Sequence, residues 1–181
     1  MPSQALYALI VAAVLVFWMV GAYNRLTALR NDIGAAWAKI DEALKARAAA
    51  ATPLLAALQE PMAAEVGALD AVQAAFQEAA QAASTMGAKP VVEAHAAAWT
   101  TAESNLSAAA TRLLALIEQH AELRFESAIA EGTLAWRDAN TRLTFSRQLF
   151  NEAAAAYNTA IALFPTRWLV PMFRFEKAGR L

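Results

Sequence analysis

Two histidines and a scatter of carboxylates are the residues here whose types could support acid–base or metal chemistry. His95 and His120 stand 25 residues apart, so on one helix they lie about 37 Å apart and cannot share an ion. A di-iron helical bundle needs Glu-x-x-His on two helices, yet the residues three before these histidines are Val92 and Ile117. Both histidines read as core or boundary residues of a helix. Glu122 with Glu126, and Glu60 with Glu65, pair by spacing, but nothing around them implies an aromatic-walled cleft, and they read as a solvated acidic face. The chain has no cysteine, which removes disulfides, zinc knuckles, iron–sulfur ligation and thiol nucleophiles together. There is no glycine-rich phosphate loop, and no serine has a histidine base nearby in sequence. The expectation is a protein that is not an enzyme and carries no metal or cofactor.

The elements that position these side chains are helices. Alanine supplies 49 of 181 residues, or 27%; it is a weak hydrophobe but the best helix former. Six glycines and six prolines are too few for the turns of a sandwich or barrel, and no window alternates as a half-buried strand does. Four helices follow from the period of the apolar residues and from the breakers, at about 24–59, 62–86, 90–122 and 125–163. The first has Leu26, Leu29, Ile33, Trp37, Ile40 and Leu44 at steps of three and four, and Thr52-Pro53 should kink or end it. The third carries a seam through Val92, His95, Trp99, Ala102, Leu106, Ala109, Leu113, Leu116 and His120. The fourth carries Ala139, Leu143, Ser146, Phe150, Ala153, Tyr157, Ile161 and Phe164 on one stripe before Pro165, with Gly132 as its weakest interior point. The fold class is therefore all-α: an elongated antiparallel four-helix, coiled-coil-like bundle, slender because alanine seams let axes approach while burying little area.

Residues 1–24 carry no charged side chain, and residues 5–22 form an 18-residue apolar run covering roughly 27 Å as a helix, close to a bilayer core. A transmembrane helix at 5–23 is expected, running straight on into the first bundle helix. Tyr7 near one end and Trp18 and Tyr23 near the other suit the two membrane interfaces. A cleaved signal peptide is the competitor, but it needs a basic start, and residues 1–7 have none. Arg25, Arg30, Lys39, Lys45 and Arg47 follow the span, so the positive-inside rule puts the amino terminus outside and the bundle in the cytoplasm.

Charge is unevenly placed. The total of −1 hides an acidic middle between two basic ends, which suits an anionic lipid surface; no helix face concentrates Lys and Arg, so nucleic acid is not an expected partner. Residues 164–181 form a tail in which Phe164, Trp168, Phe173 and Phe175 are interleaved with Arg167, Arg174, Lys177 and Arg180. An up-and-down bundle delivers this tail back to the membrane, where Trp168, Phe173 and Arg174 would sit at the interface; the alternative is that it folds back on the open end of the bundle. Asn24 and Asn31 stand seven apart on the first helix, and Asn151 and Asn158 stand seven apart on the fourth. In an antiparallel pair the four would meet at similar heights as a register-fixing ladder, among packing residues that include Trp37, Ile40, Phe150 and Tyr157; otherwise they face water.

The opening Tyr23-Asn24-Arg25-Leu26, Leu29-Arg30, Ala36-Trp37, Ile40-Asp41, Leu44 and Arg47 resembles that of the LemA family of bacterial membrane proteins. The closing Asn140, Arg147, Asn151, Ala153, Tyr157-Asn158-Thr159-Ala160-Ile161 and Phe164-Pro165 is similar to its closing motif, and Glu118, Leu123 and Arg124 fit a weaker middle one. The chain departs from that pattern at Ala139, where Glu is usual; at Phe150, usually Tyr; at His120-Ala121, usually Tyr-Pro; at Thr52-Pro53-Leu54, one residue late; and at Arg174, usually Gly. The resemblance implies a divergent, membrane-anchored, elongated helical bundle with no catalytic residues to carry over, some relatives acting in the remodelling of specialised membranes. Two functional classes follow: a scaffold of the bacterial inner membrane that binds lipid and protein partners or self-associates, and a signal-transducing or ligand-binding module. The second needs polar groups inside the span, where only the Tyr7 hydroxyl and Trp18 indole occur. Ala8 and Ala12 offer a small-xxx-small pair for self-association.

Overall fold

The computed structural model describes residues 2–181. Among the described residues there are four long helices and two short ones: α1 (Pro2–Leu58), α2 (Val66–Ala88), α3 (Glu93–Gln119), α4 (Ala121–Phe125), α5 (Ser127–Ala162) and α6 (Leu169–Met172). Short 3-10 turns at Ala63–Glu65 and Thr166–Trp168 lead into α2 and α6. The apolar run and the first bundle helix are one rod of 57 residues. Pro53 lies inside it without ending it, and the helix stops a turn later at Leu58. Sequence alone places the starts of the second and third helices at 62 and 90; in the structure they begin at Val66 and Glu93, because the prolines open turns before the helical backbone bonds begin. The third helix, expected to reach 122, breaks instead at His120, whose extended backbone separates α3 from α4.

Two antiparallel pairs make the bundle: α1 lies closest against α5, and α2 against α3. Glycine explains the intimacy of the first pair at its far end. A Cβ at Gly132 would stand 3.0 Å from Leu54 Cβ and 3.4 Å from its Cα, so the residue that weakens the helix by propensity also lets the two backbones approach. Between the pairs the spacing is set by large rings. Trp37 of α1 meets Trp99 of α3 edge-on at 5.4 Å, and within its own pair it meets Phe150 of α5 at 6.3 Å.

The core is divided along its length. The half nearer the apolar stretch packs Leu26, Ile33, Trp37, Ile40, Trp99, Phe150 and Tyr157, and the distal half packs Leu54, Leu58, Leu106, Leu113, Ile117, Ile129 and Trp136. Between the halves, the Arg47 guanidinium donates two bonds to the Glu103 carboxylate, at 2.7 and 2.6 Å. It also lies 5.7 Å from the ring centres of Phe76 and Trp136. A buried cation next to two ring faces and a bidentate carboxylate is stabilised by charge and by quadrupole together, while its Nε–H has no hydrogen-bond partner among the described residues.

The seam of α3 differs from the expected one. Ala96, Trp99, Ala102, Glu103, Leu106, Ala110, Leu113 and Ile117 are buried, so the distal half uses Ala110 and Ile117 in place of Ala109 and Leu116. Packing against α2 on one side and the α1–α5 pair on the other turns the buried face by about one position.

Candidate membrane-proximal site

Most of the functional residues expected from the sequence lie toward the end of the bundle where α1 leaves its apolar stretch, while Tyr7 lies sixteen residues before Tyr23 along that stretch. Within the described residues, α1 holds the one stretch long and apolar enough to cross a membrane. Its side chains from Ser3 to Phe17, Tyr7 among them, are all exposed, as lipid-facing residues are. Trp18, Met19 and Ala22 are the first to be partly covered. One residue on, the Tyr23 ring packs against Phe173 at 5.0 Å and Phe175 at 6.0 Å. The tail therefore crosses α1 where the apolar stretch ends, and Arg25 beside it is exposed.

The tail has two parts with different jobs. Leu163, Phe164, Trp168, Met172 and Phe173 are exposed, with Phe164 and Trp168 packed edge-on at 5.1 Å; together they form an apolar ridge flanked by Arg167 and Arg174. Leu169 of the same stretch is buried and holds the ridge to the bundle. Beyond Arg174 the chain turns inward. Phe175, Ala178 and Gly179 are buried, and Ala178 forms an isolated antiparallel bridge with Val92. The two alternatives drawn from sequence thus divide between residues: the ridge within 164–173 faces outward, and 175–181 fold back on the bundle.

The fold-back segment is held through its backbone. Asn158 donates to Ala178 O at 2.9 Å and accepts from Ala178 N at 2.8 Å. One heptad earlier, Asn151 donates to Leu181 O at 2.7 Å and accepts from Leu181 N at 2.8 Å. Tyr157 adds a bond from its hydroxyl to Glu176 O at 2.9 Å. A carboxamide can donate and accept at once, so each Asn pairs with one residue of an extended chain as a neighbouring strand would. Spacing is the key: two heptad-related Asn on α5 meet residues three apart on the tail.

This corrects the expected ladder. Asn24 and Asn31 are exposed, and Asn151 and Asn158 serve the tail, not α1. An extended segment carries unpaired N–H and C=O groups that require partners once covered, and the two Asn supply them. Trp37, Ile40, Phe150 and Tyr157 are buried in the packing. Burial raises the Tyr157 hydroxyl above its ordinary pKa of 10.0, with Arg30 opposing the shift and Glu176 adding to it; the group is a neutral donor across the physiological range.

Among the residues considered for acid–base or metal chemistry, His95 is partly covered near the start of α3, and His120 sits 3.3 Å from Glu122 at its other end. Glu60, Glu65, Glu122 and Glu126 are exposed. Among the described residues no three imidazoles or carboxylates gather as a metal site would require. Arg47, which sequence groups with the basic flank, is buried and bonded to Glu103 and adds nothing to the surface field. Lys45 is exposed and paired with Asp41 at 2.6 Å, which raises its pKa. Sequence reasoning misses Glu103 altogether. The only local signal is a carboxylate between Ala102 and Leu106 on the seam.

Compared with known protein families, the chain matches the LemA family over residues 36–181. The matched part includes the α5 asparagines and the tail, and it begins after the apolar stretch. No curated protein matches the sequence.

Proposed function

The chain belongs to the LemA family, and from that premise we propose that it is a non-enzymatic scaffold of the bacterial inner membrane, anchored by a single span with its amino terminus outside and its bundle in the cytoplasm. The observation that carries this reading is the joint placement of an exposed apolar helix and an exposed aromatic ridge. Tyr23 contacts Phe173 at the end of the apolar stretch, so the ridge of Phe164, Trp168 and Met172 is held near the level where that helix would leave the lipid. Aromatic rings with flanking cations are the chemistry of that interface. The ridge gives the rod a second contact with the bilayer and restrains its tilt, leaving the long alanine-rich faces of the bundle for protein partners or further copies.

Thiol labelling tests the topology, because the native chain has no cysteine. Ser3→Cys should react with an impermeant reagent in intact cells, and Ser107→Cys, which is exposed on α3, should react only after lysis. The reverse pattern removes the proposed orientation. For the ridge, the full chain is reconstituted with lipids brominated near the headgroup, and the quenched fluorescence that disappears in Trp168→Phe is measured. A Trp168 contribution insensitive to bromination would reject the second contact.

A further inference from the structure

The bonds that fix residues 175–181 to α5 read backbone, not side chains, and they are non-covalent. Both carboxamides hydrogen-bond to main-chain N and O atoms, those of Ala178 and Leu181. What selects the occupant is fit. A Cβ at Gly179 would come within 2.5 Å of Ala96 Cβ and 2.9 Å of Glu93 Cα, so the seat accepts glycine there and excludes larger residues. Phe175 fills the position beside Tyr23. The seat is thus a binding site for an extended peptide with an aromatic residue, then a small residue and a glycine three and four places on. The chain's own tail satisfies that pattern.

The same tail from another copy would satisfy it identically. Leu163–Arg174 joins α5 to the seated segment and comprises twelve residues; fully extended they reach about 40 Å, whereas two layers of helices are about 20–24 Å across. Seating the tail in its own chain also carries a penalty. Arg174, immediately before Phe175, is in the left-handed conformation with φ 53°, which is unfavourable for a residue with a Cβ. Exchange frees the connection from that turn and restores every bond from the asparagines to the tail, the usual basis of segment swapping. What it gives up within one chain is the bond from Phe175 N to Val170 O at 3.0 Å and, where the connection is drawn out further, the burial of Leu169. Copies anchored by the same helix also hold their seats at one height above the bilayer, which raises the effective concentration of tail at a neighbouring seat.

We propose that the Asn151–Asn158 seat binds residues 175–181 of a second copy, so that neighbouring chains in the membrane are linked by exchanged tails. This rests on the copies sharing a bilayer, as proposed above, but not on any scaffold partner.

Paired cysteines test it. Glu152 on α5 and Arg180 on the tail border the same groove beside the seat, and there is no native thiol to interfere. Two differently tagged full-length chains are expressed together in one membrane, one carrying Glu152→Cys and the other Arg180→Cys, and oxidised. The expected result is a covalent heterodimer. It should disappear when the Glu152→Cys chain also carries Asn151→Ala and Asn158→Ala, or when the Arg180→Cys chain also carries Gly179→Leu, and it should fall several-fold with Arg174→Gly, which relaxes the turn that favours exchange. A chain carrying both cysteines reports seating within one copy. If that chain forms only an internal disulfide and the mixed pair forms none, the exchange is refuted while the labelling test of topology stands apart. A heterodimer unaffected by the seat variants reports random collision and refutes it equally. If neither arrangement forms a disulfide, the seat itself falls and the exchange with it.

Discussion

Removing the Glu103 carboxylate tests the reasoning about the divided core. In Glu103→Ala the Arg47 guanidinium loses two charge-assisted bonds of 2.7 and 2.6 Å in a site where the two side chains are 5% and 6% exposed. Leaving one charge of a buried pair unpaired costs about 3–5 kcal/mol. Phe76 and Trp136 still lie against the guanidinium and recover part of the loss, which places the expectation near the lower bound, at about 3 kcal/mol. For a chain of this size that is a fall in Tm of roughly 6–12 °C. The comparison that gives the number meaning is Arg47→Met with Glu103→Leu, where neither charge is left buried. Replacing a buried pair by packed apolar side chains is often neutral or stabilising, so the double variant should melt within about 1 kcal/mol of the parent or above it. Thermal melts of the full chain in detergent, followed by helical circular dichroism, of the parent, Arg47→Met, Glu103→Leu and the double variant supply the four corners of the cycle, with a coupling of at least about 5 kcal/mol. Single variants that each melt within about 1 kcal/mol of the parent would refute the claim that this pair is buried and mutually dependent. So would a double variant as unstable as the two losses summed.

Three further predictions concern the tail. Asn158→Ala removes both bonds to Ala178, each worth about 1 kcal/mol net; hydrogen exchange at the Ala178 amide should accelerate at least tenfold while amides in the middle of α5 keep their protection, and unchanged exchange would dismiss the clamp. Arg174→Gly relieves a left-handed residue, a gain of about 1–2 kcal/mol offset by roughly 0.5–1 kcal/mol of glycine entropy; the tail should become more resistant to limited proteolysis, and faster cleavage would contradict the strain. Tyr157 has a raised pKa in the folded state, so its contribution is fully present below its ordinary value of 10.0 and is lost as pH rises through the folded value. Tyr157→Phe should therefore flatten part of the alkaline fall in stability seen in denaturant titrations between neutral pH and pH values above that point, and an identical fall in both proteins would contradict the assignment.

The local features of this chain are legible in its sequence because they depend on near neighbours. Hydropathy summed over adjacent residues locates the apolar stretch of α1, alanine content dictates helices, and the expected helix ends fall within a few residues of where they are observed, although Pro53 lies inside α1 without ending it. The antiparallel pairing of the first and last long helices also follows from counting helices and short connections. Contacts between distant residues are not legible. Glu103 is buried because Arg47, 56 residues earlier, reaches it between two aromatic rings, and no periodicity carries that information. The α3 seam shifts by a position because alanine on several faces leaves the apolar stripe poorly defined, so the neighbours decide which alanines face in. Asn151 and Asn158 announce a role by their spacing, but helix and tail offer the same kind of partner, backbone or amide groups needing hydrogen bonds. Only the tertiary path of residues 175–181, turned inward at Arg174 and admitted by Gly179 against Ala96, decides which of them the asparagines hold.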